Sequence, residues 1–401
     1  MSLTRGLGRR WTALLCATAL MFASFTGVAS AAETKQKQQA AQVNLAKQST
    51  SAVLMDQATG TVLFEKNAHQ KLPPASVTKV MTMLLILEAV GNGKVKWSDR
   101  IRTSENAASM GGSQIFLEVG EEMTLDEMFK GIALASGNDA AVAVAEHLAG
   151  SEENFVQMMN ERAAQLGCKN TSFRNVNGLP VENHFTSAHD VALMSRELLK
   201  HEEVTKYTGV YQDHLRKSSE KPFWLVNTNK LVRFYNGMDG LKTGYTAEAK
   251  YCLSATAKRN GFRVIAVAMG APTSPVRNAE ISQMIDYAFA NYKSEVLYKP
   301  GQVVQQVRID KGGVPYLPII TTDTVGVLMK KGEKQTAYRQ EIRLNEVKAP
   351  IQKGQIVGSV VIKKDEQEIA KADLVAGLDV GKASMWTLFK RTVESWLSFG
   401  R

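Results

Sequence analysis

Hydrophobic positions along the chain group into runs that predict a succession of short elements. Ser51-Ala-Val-Leu-Met55 and Thr61-Val-Leu-Phe-Glu65 are strand-like, and Asp56-Gln-Ala-Thr-Gly60 between them is a turn, so this stretch predicts a β-hairpin. Pro73-Pro74-Ala75 precedes a helical run from Ser76 to about Val90, whose centre, from Val80 to Leu87, is almost wholly apolar. At roughly 15 residues that run is too short to cross a bilayer and predicts a buried core helix. Residues 123–149, rich in Ala, predict a second helical region with a break near Ser136-Gly137-Asn138. Residues 152–166 predict a third, amphipathic helix. Ser187-Ala-His-Asp190 opens a fourth, with Ser187 as N-cap and Asp190 three residues on. Tyr251–Ala257 and Phe262–Met269 are strand-like and flank a turn at Arg259-Asn-Gly261, after which 277–292 return to helix. Strands, then a helical block, then strands again indicate an α+β domain over 51–293 with an antiparallel sheet.

The texture changes near residue 294. Gln302–Ile309, Thr324–Met329, Ala337–Leu344 and Ile356–Lys363 are short β-rich runs between Gly and charged turns, predicting a small all-β module over 294–377. The tail, 378–401, differs again. Trp386, Phe389, Val393, Trp396 and Leu397 recur at helical spacing with Lys390, Arg391 and Glu394 between them, an amphipathic helix with an aromatic face. Such a helix commonly docks on the body of its own protein. Terminal, with Trp386, Trp396, Phe399 and basic neighbours, it is read here as lying in a membrane interface; its apolar run is too interrupted to span.

The other end reads as an export signal. Arg5, Arg9 and Arg10 precede the apolar or small stretch from Trp11 to Gly27, and Ala29-Ser30-Ala31 offers a small-x-small cleavage site. The alternative is an N-terminal anchor, but the apolar stretch is short for a spanning helix. Arg9-Arg10 carries little of a twin-arginine pattern, and Cys16 lacks the preceding Gly or Ala of a lipoprotein signal. Residues 32–50, polar and rich in Ala, Gln and Lys, look like an exposed lead-in. Cleavage after Ala31 leaves Cys168 and Cys252, which could pair or could each be a small buried hydrophobe.

Composition adds limits. In 401 residues, 44% are hydrophobic and 22% charged, enough for sizeable cores and against wholesale disorder. The net charge of +10 falls to +7 without the three arginines of the signal, which suits an anionic membrane or wall polymer. No block of five basic residues occurs, so a nucleic-acid partner is not indicated.

Three short patterns carry chemistry. In Ser76-Val77-Thr78-Lys79 the serine and lysine share a helix face. A serine hydroxyl needs a base, and a lysine made neutral by burial or by nearby cations can serve. Ser136-Gly137-Asn138 puts a hydroxyl and an amide on a tight turn, able to relay protons and hold a substrate amide. Lys242-Thr243-Gly244 supplies positive charge, a hydroxyl and a bare backbone. Taken singly, each has a plainer reading: a capping serine with a surface lysine, ordinary turn chemistry, a loop.

Together, in this order, the three resemble the penicillin-recognising serine enzymes, which use SxxK, SxN and KTG elements. Pro74-Ala75-Ser76-Val77-Thr78-Lys79, Ser136-Gly137-Asn138-Asp139-Ala140-Ala141 and Asp239-Gly240-Leu241-Lys242-Thr243-Gly244-Tyr245-Thr246 are similar to the D-alanyl-D-alanine carboxypeptidases among the low-molecular-mass penicillin-binding proteins. Asn177-Gly178-Leu179-Pro180 and the helix opened by Asp190 are similar too. The resemblance implies Ser76 as acylated nucleophile and Lys79 as its base. It implies Ser136 as proton relay toward the leaving amine and Asn138 as holder of substrate and Lys79. Lys242, Thr243 and Arg277 would bind the terminal carboxylate, a task that suits a guanidinium fork. The N–H groups of Ser76 and Tyr245 would form the oxyanion hole beside Gly244. Some family members carry His where Tyr245 stands. The implied partners are peptidoglycan stem peptides ending in D-Ala-D-Ala and β-lactams, with no cofactor and no metal, on the outer face of the cytoplasmic membrane.

Competing readings have weaker support. A serine β-lactamase often carries ExxLN between the second and third motifs; none occurs between Asn138 and Lys242. A D,D-endopeptidase or transpeptidase shares the same catalytic parts and stays open. A metallopeptidase would need clustered ligands, yet no HExxH occurs, and His184 and His189 read as surface or packing residues. A wall-binding protein with a dead site does not fit intact Ser76, Lys79, Asn138 and Lys242.

Overall fold

The computed structural model describes residues 45–220, 222–332, 338–364 and 366–398. The signal expected over 1–31, the start of the lead-in and Phe399 lie outside the described residues.

Five antiparallel strands form the sheet of the first domain: β1 (Ser51–Asp56), β2 (Val62–Lys66), β3 (Met238–Thr246), β4 (Lys250–Arg259) and β5 (Phe262–Ala271), in the order β2-β1-β5-β4-β3. The expected hairpins are both present. Asn260 and Gly261 turn β4 into β5 with φ of 49° and 82°, the two positive values that a tight two-residue hairpin turn requires. β1 is buried at all six positions and β5 at most of its ten, which demands cover on both faces. Helix α1 (Lys79–Gly91) is buried without a break from Lys79 to Leu87, so its sequence is apolar all round rather than on one stripe. It packs on α5 (Ala188–Leu198), α5 packs on β1 and β5, and α6 (Ser274–Asn291) packs on β5 and β4. Between α1 and α5 lie α2 (Leu125–Lys130), α3 (Asn138–Ala149) and α4 (Glu152–Gln165).

Several expectations need correction. The run from Ser76 is not one helix: Ala75–Thr78 form a 3-10 turn, entered at Ala75 with φ of 48°, and α1 begins only at Lys79. Residues 122–124 are a strand paired with 100–102, not helix. Thr124 then caps α2 in a full capping box with Glu127. Ser187 does cap α5, yet the Asp190 carboxylate turns away to accept from the Asn170 N–H (2.7 Å) and the Thr171 hydroxyl (2.8 Å). The described end of the lead-in is exposed only in part: Lys47 and Gln48 face solvent, while Ala46 and Ser49 are buried. Glu280 accepts from the N–H groups of Gln48 and Ser49 and from the Ser49 hydroxyl, and the Lys66 ammonium donates to the carbonyls of Ala46, Lys47 and Ser49. Cys168 and Cys252 are separate buried thiols.

The chain passes from α6 at Asn291 directly into a strand, Tyr292–Tyr298, which pairs with Val325–Lys330. Five further strands, Val303–Arg308, Tyr316–Thr321, Tyr338–Leu344, Ile356–Lys364 and Gln367–Ala376, make an antiparallel sheet around Leu317, Ile319, Val360, Ile362 and Leu374. Helix α7 (Met385–Ser398) follows, beginning later than residue 378 because Val380 is still bridged to Ile351. Among the described residues no helix is long and apolar enough to cross a membrane.

Candidate active site

The three motifs converge on the 3-10 turn before α1. Burial of that turn and helix carries Lys79 fully inside, at 0% exposure, with Ser76 one turn earlier and half-buried. The Lys79 Nζ lies 2.6 Å from Asn138 Oδ1, 2.8 Å from the Asn177 carbonyl and 3.2 Å from Ser76 Oγ. Burial pushes the Lys79 pKa well down, and the Lys242 charge adds to that; Asp139 opposes it.

The second motif reaches Lys79 because the helix geometry breaks ahead of it. Gly131–Ala135 widen into a π-helical turn, and Ser136 then takes a left-handed conformation with φ of 64°. Asn138 opens α3, and its Nδ2 donates to the Gly111 carbonyl at 2.6 Å. Asp139 braces the same loop, its carboxylate accepting from the N–H groups of Ile115 and Leu117. The Ser136 hydroxyl is buried without a partner, an expensive arrangement unless a reacting group uses it.

The third motif lies on β3, which packs on the Ala75–Thr78 turn. A Cβ at Gly244 would sit 2.9 Å from the Pro74 carbonyl oxygen and 3.1 Å from Ser76 N, so only glycine lets the strand come this close. Lys242 is buried; burial and then the Arg277 charge bring its pKa down to about 7. Thr243 Oγ1 donates to Thr228 Oγ1 at 2.8 Å. Arg277, in the first turn of α6, is buried and donates to the Asn278 side chain, the Ser274 hydroxyl and the Cys252 carbonyl. Burial lowers even its pKa, to about 10. Two further basic groups, Lys242 and Arg277, thus stand near Lys79, with Asp139 as the neighbouring carboxylate, an arrangement that suits a negatively charged ligand. Tyr245 is 57% exposed and its ring lies 4.5 Å from that of Tyr251.

The structure also brings in residues the motifs did not assign. Asn177 contributes its backbone carbonyl to Lys79. Gly178, with φ of 87°, passes so close to the catalytic turn that a Cβ would fall 1.9 Å from the Ala75 carbonyl oxygen. Asn177-Gly178-Leu179-Pro180 is the visible signal for this segment; its physical reason is this contact. His184, expected only as a packing or surface residue, is buried and hydrogen-bonded to Thr78. His189 is half-buried, its ring 4.6 Å from that of His69. Among the described residues no group of three His, Cys, Asp or Glu is placed to hold a metal.

A buried lysine within hydrogen-bond reach of a serine, beside an SxN turn and a KTG strand, is the arrangement of a penicillin-recognising serine enzyme. Comparisons agree: a family model described as D-alanyl-D-alanine carboxypeptidase matches residues 34–273, and one described as the C-terminal domain of penicillin-binding protein 5 matches 292–382. The chain belongs to the D-alanyl-D-alanine carboxypeptidase family. It is 53% identical to the D-alanyl-D-alanine carboxypeptidase DacF of Bacillus subtilis over 356 residues, 88% of this chain and 92% of that one. Penicillin-binding protein 5 of Haemophilus influenzae superposes with a TM-score of 0.65 at 31% identity, covering 83% of this chain and 98% of that one. Penicillin-binding protein D2 of Listeria monocytogenes, solved in an ampicillin-bound form, does so with a TM-score of 0.55 at 30% identity, covering 60% and 98%.

Proposed function

We propose that the chain is a serine-type D-Ala-D-Ala carboxypeptidase that removes the terminal D-alanine from peptidoglycan stem peptides through an acyl-enzyme on Ser76. The observation that carries this is the environment of the Lys79 amine. Two of its neighbours, Asn138 Oδ1 and the Asn177 carbonyl, can only accept hydrogen bonds. A neutral amine spends its two N–H groups on them and turns its lone pair to the third neighbour, the Ser76 hydroxyl. That geometry makes Lys79 an acceptor for the serine proton, and its lowered pKa supplies the neutral form.

Ser76 Oγ then attacks the carbonyl between the two D-alanines as its proton passes to Lys79. The N–H groups of Ser76 and Tyr245 receive the developing oxyanion. Ser136, whose hydroxyl has no other partner, relays a proton to the leaving amine, and D-alanine departs. Water releases the shortened stem. Protonated Lys242, Thr243 and Arg277 hold the terminal carboxylate, so the site selects a free chain end. A β-lactam, with its own carboxylate and strained amide, acylates the same serine.

The enzyme works outside the cytoplasm on the wall polymer. The α7 helix holds it on the outer face of the cytoplasmic membrane, an assignment supported by the exposed aromatic side chains of that helix. The test is D-alanine release from a peptide ending in D-Ala-D-Ala, with Ser76→Ala as control. Release that vanishes in the variant is expected. A penicillin-acylated protein that releases no D-alanine moves the assignment to an endopeptidase or transpeptidase. A folded chain that does neither is a wall-binding protein.

A further inference from the structure

The His184 ring joins two backbones that meet at the catalytic turn. Its Nδ1 accepts from the Arg174 N–H at 3.0 Å. An imidazole accepting at Nδ1 carries its proton on Nε2, so Nε2–H donates to Thr78 Oγ1, 2.9 Å away. Thr78 is the last residue of the 3-10 turn, between Ser76 and Lys79. The segment from 174 to 184 touches the turn and α1 elsewhere too. The Val176 carbonyl accepts from Thr82 Oγ1 (2.6 Å), the Asn177 carbonyl faces Lys79, and Gly178 lies against Ala75. His184 therefore closes a ring of contacts: it ties the far end of the loop back to its start at Arg174 and to the turn.

We propose that His184 is a positioning residue for the acylation step, its ring setting the distance between the Ser76–Lys79 turn and the loop that presents the Asn177 carbonyl to Lys79. This rests on the carboxypeptidase reading above. Lys79 has three neighbours within hydrogen-bond reach, and one belongs to this loop. If the loop drifts, the amine loses an acceptor and gains water, and its lone pair is no longer fixed on Ser76. Misplacement of about 1 Å at such a pair can cost on the order of a hundredfold in rate. The neutral ring is what the geometry needs, since a second ring proton would face the Arg174 N–H donor to donor. Burial and the Arg174 charge favour that form, bringing the His184 pKa down to about 4.

The two bonds can be separated by substitution. In His184→Asn the side-chain oxygen can replace Nδ1 and keep the Arg174 bond, but nothing reaches Thr78. In His184→Gln the amide nitrogen can replace Nε2 and keep the Thr78 bond. Acylation by a fluorescent penicillin, followed to saturation, separates the limiting rate from the binding constant; thermal unfolding is followed in parallel. The His184→Asn and Thr78→Val variants should each lower the limiting rate about tenfold or more with binding little changed. His184→Gln should retain the rate within about threefold, and the pairing of His184→Asn with Thr78→Val should cost no more than either alone. The acid limb of the limiting rate should move to higher pH in His184→Asn, because a better-hydrated Lys79, still facing Lys242 and Asp139, holds its proton longer. Equal rates for His184→Asn, His184→Gln and wild type, or losses of rate that track unfolding temperature in all variants, would overturn the proposal. A wild-type chain that penicillin does not acylate would instead overturn the carboxypeptidase reading. If the His184 variants do not fold, Thr78→Val against Thr78→Ser decides: equal rates reject the hydroxyl's role, and a drop confined to valine supports it.

Discussion

Asn138 holds Lys79 with one side-chain atom and is itself held by the other: Oδ1 meets the Lys79 nitrogen at 2.6 Å, and Nδ2 donates to the Gly111 carbonyl at 2.6 Å. The amide is oriented by that second bond, since a flipped side chain would set its oxygen against a carbonyl. Asn138→Asp replaces the donor with an acceptor facing Gly111 and puts a negative charge beside Lys79. An opposite charge at this distance favours the protonated amine. Penicillin acylation at neutral pH should fall at least about a hundredfold, with the acid limb of the rate moved upward. Stopped-flow acylation across pH checks this; an unshifted limb would remove Asn138 from the control of Lys79.

Lys242 sets the other limb. In its proposed role it holds the substrate carboxylate only when protonated, and burial with the Arg277 charge brings its pKa to about 7. In the free enzyme kcat/KM should therefore decline as pH rises through about 7. Arg277→Gln removes the repelling cation, so Lys242 keeps its proton to higher pH and the alkaline limb should move up. The same change removes a proposed carboxylate ligand, so KM for a D-Ala-D-Ala peptide should rise. Full pH profiles of both proteins test the two signs together. A limb that stays in place would show that another group titrates there.

The two glycines Gly178 and Gly261 separate backbone strain from close packing. Both have positive φ, 87° and 82°. A Cβ at Gly261 meets nothing within 4 Å, whereas one at Gly178 falls 1.9 Å from the Ala75 carbonyl oxygen. Gly261→Ala should cost only about 1 kcal/mol and leave acylation unchanged. Gly178→Ala adds a backbone clash at the catalytic turn, should cost about 3 kcal/mol or more, and should depress acylation strongly. Denaturant unfolding with acylation assays on the same samples measures both; similar losses for the two would refute the contact as the reason for Gly178.

Much of this is legible in the sequence, and the reasons for the misses are physical. Ser76, Lys79, Ser136, Asn138, Lys242 and Gly244 announce themselves because their motifs are contiguous and the residue types are chemically specific. The Asn177 carbonyl and the Thr78–His184 bond are invisible for the opposite reason: one uses backbone that any residue has, and the other joins positions 106 apart in sequence. The strand Tyr316–Thr321 escapes a pattern reading because Pro318 interrupts it; the proline is tolerated since pairing with Gln367–Ala376 begins only at Ile319. Gln367–Ala376 escapes because Glu368, Lys371 and Asp373 break the apolar run on a sheet with a solvated side. The burial of Ser49 in the lead-in is invisible in sequence because its partner is Glu280, more than 200 residues away.

The α7 helix docks by a polar contact and leaves apolar side chains of its first turns, as far as Val393, uncovered. The Arg391 guanidinium donates to the carbonyls of Gly312 (2.8 Å) and Gly313 (3.0 Å), which fixes the helix on the β module. Met385, Trp386, Phe389 and Val393 are 84, 65, 59 and 41% exposed, and Trp386 stacks on Phe389 with ring centres 5.7 Å apart. Lys390 lies over the Trp386 ring, 5.5 Å from its centre, so a cation stands beside the aromatic face where anionic headgroups would meet it. Burying one such aromatic side chain is worth about 1.5–3 kcal/mol, so Trp386→Ser and Phe389→Ser should each weaken binding to anionic lipid vesicles about tenfold or more. The double variant should release the protein from vesicles, while penicillin acylation, which takes place on the other domain, stays at the wild-type rate. High salt should weaken the binding only in part, since the apolar contribution is not screened. Vesicle sedimentation unchanged by the double substitution would leave α7 as a helix docked on its own domain.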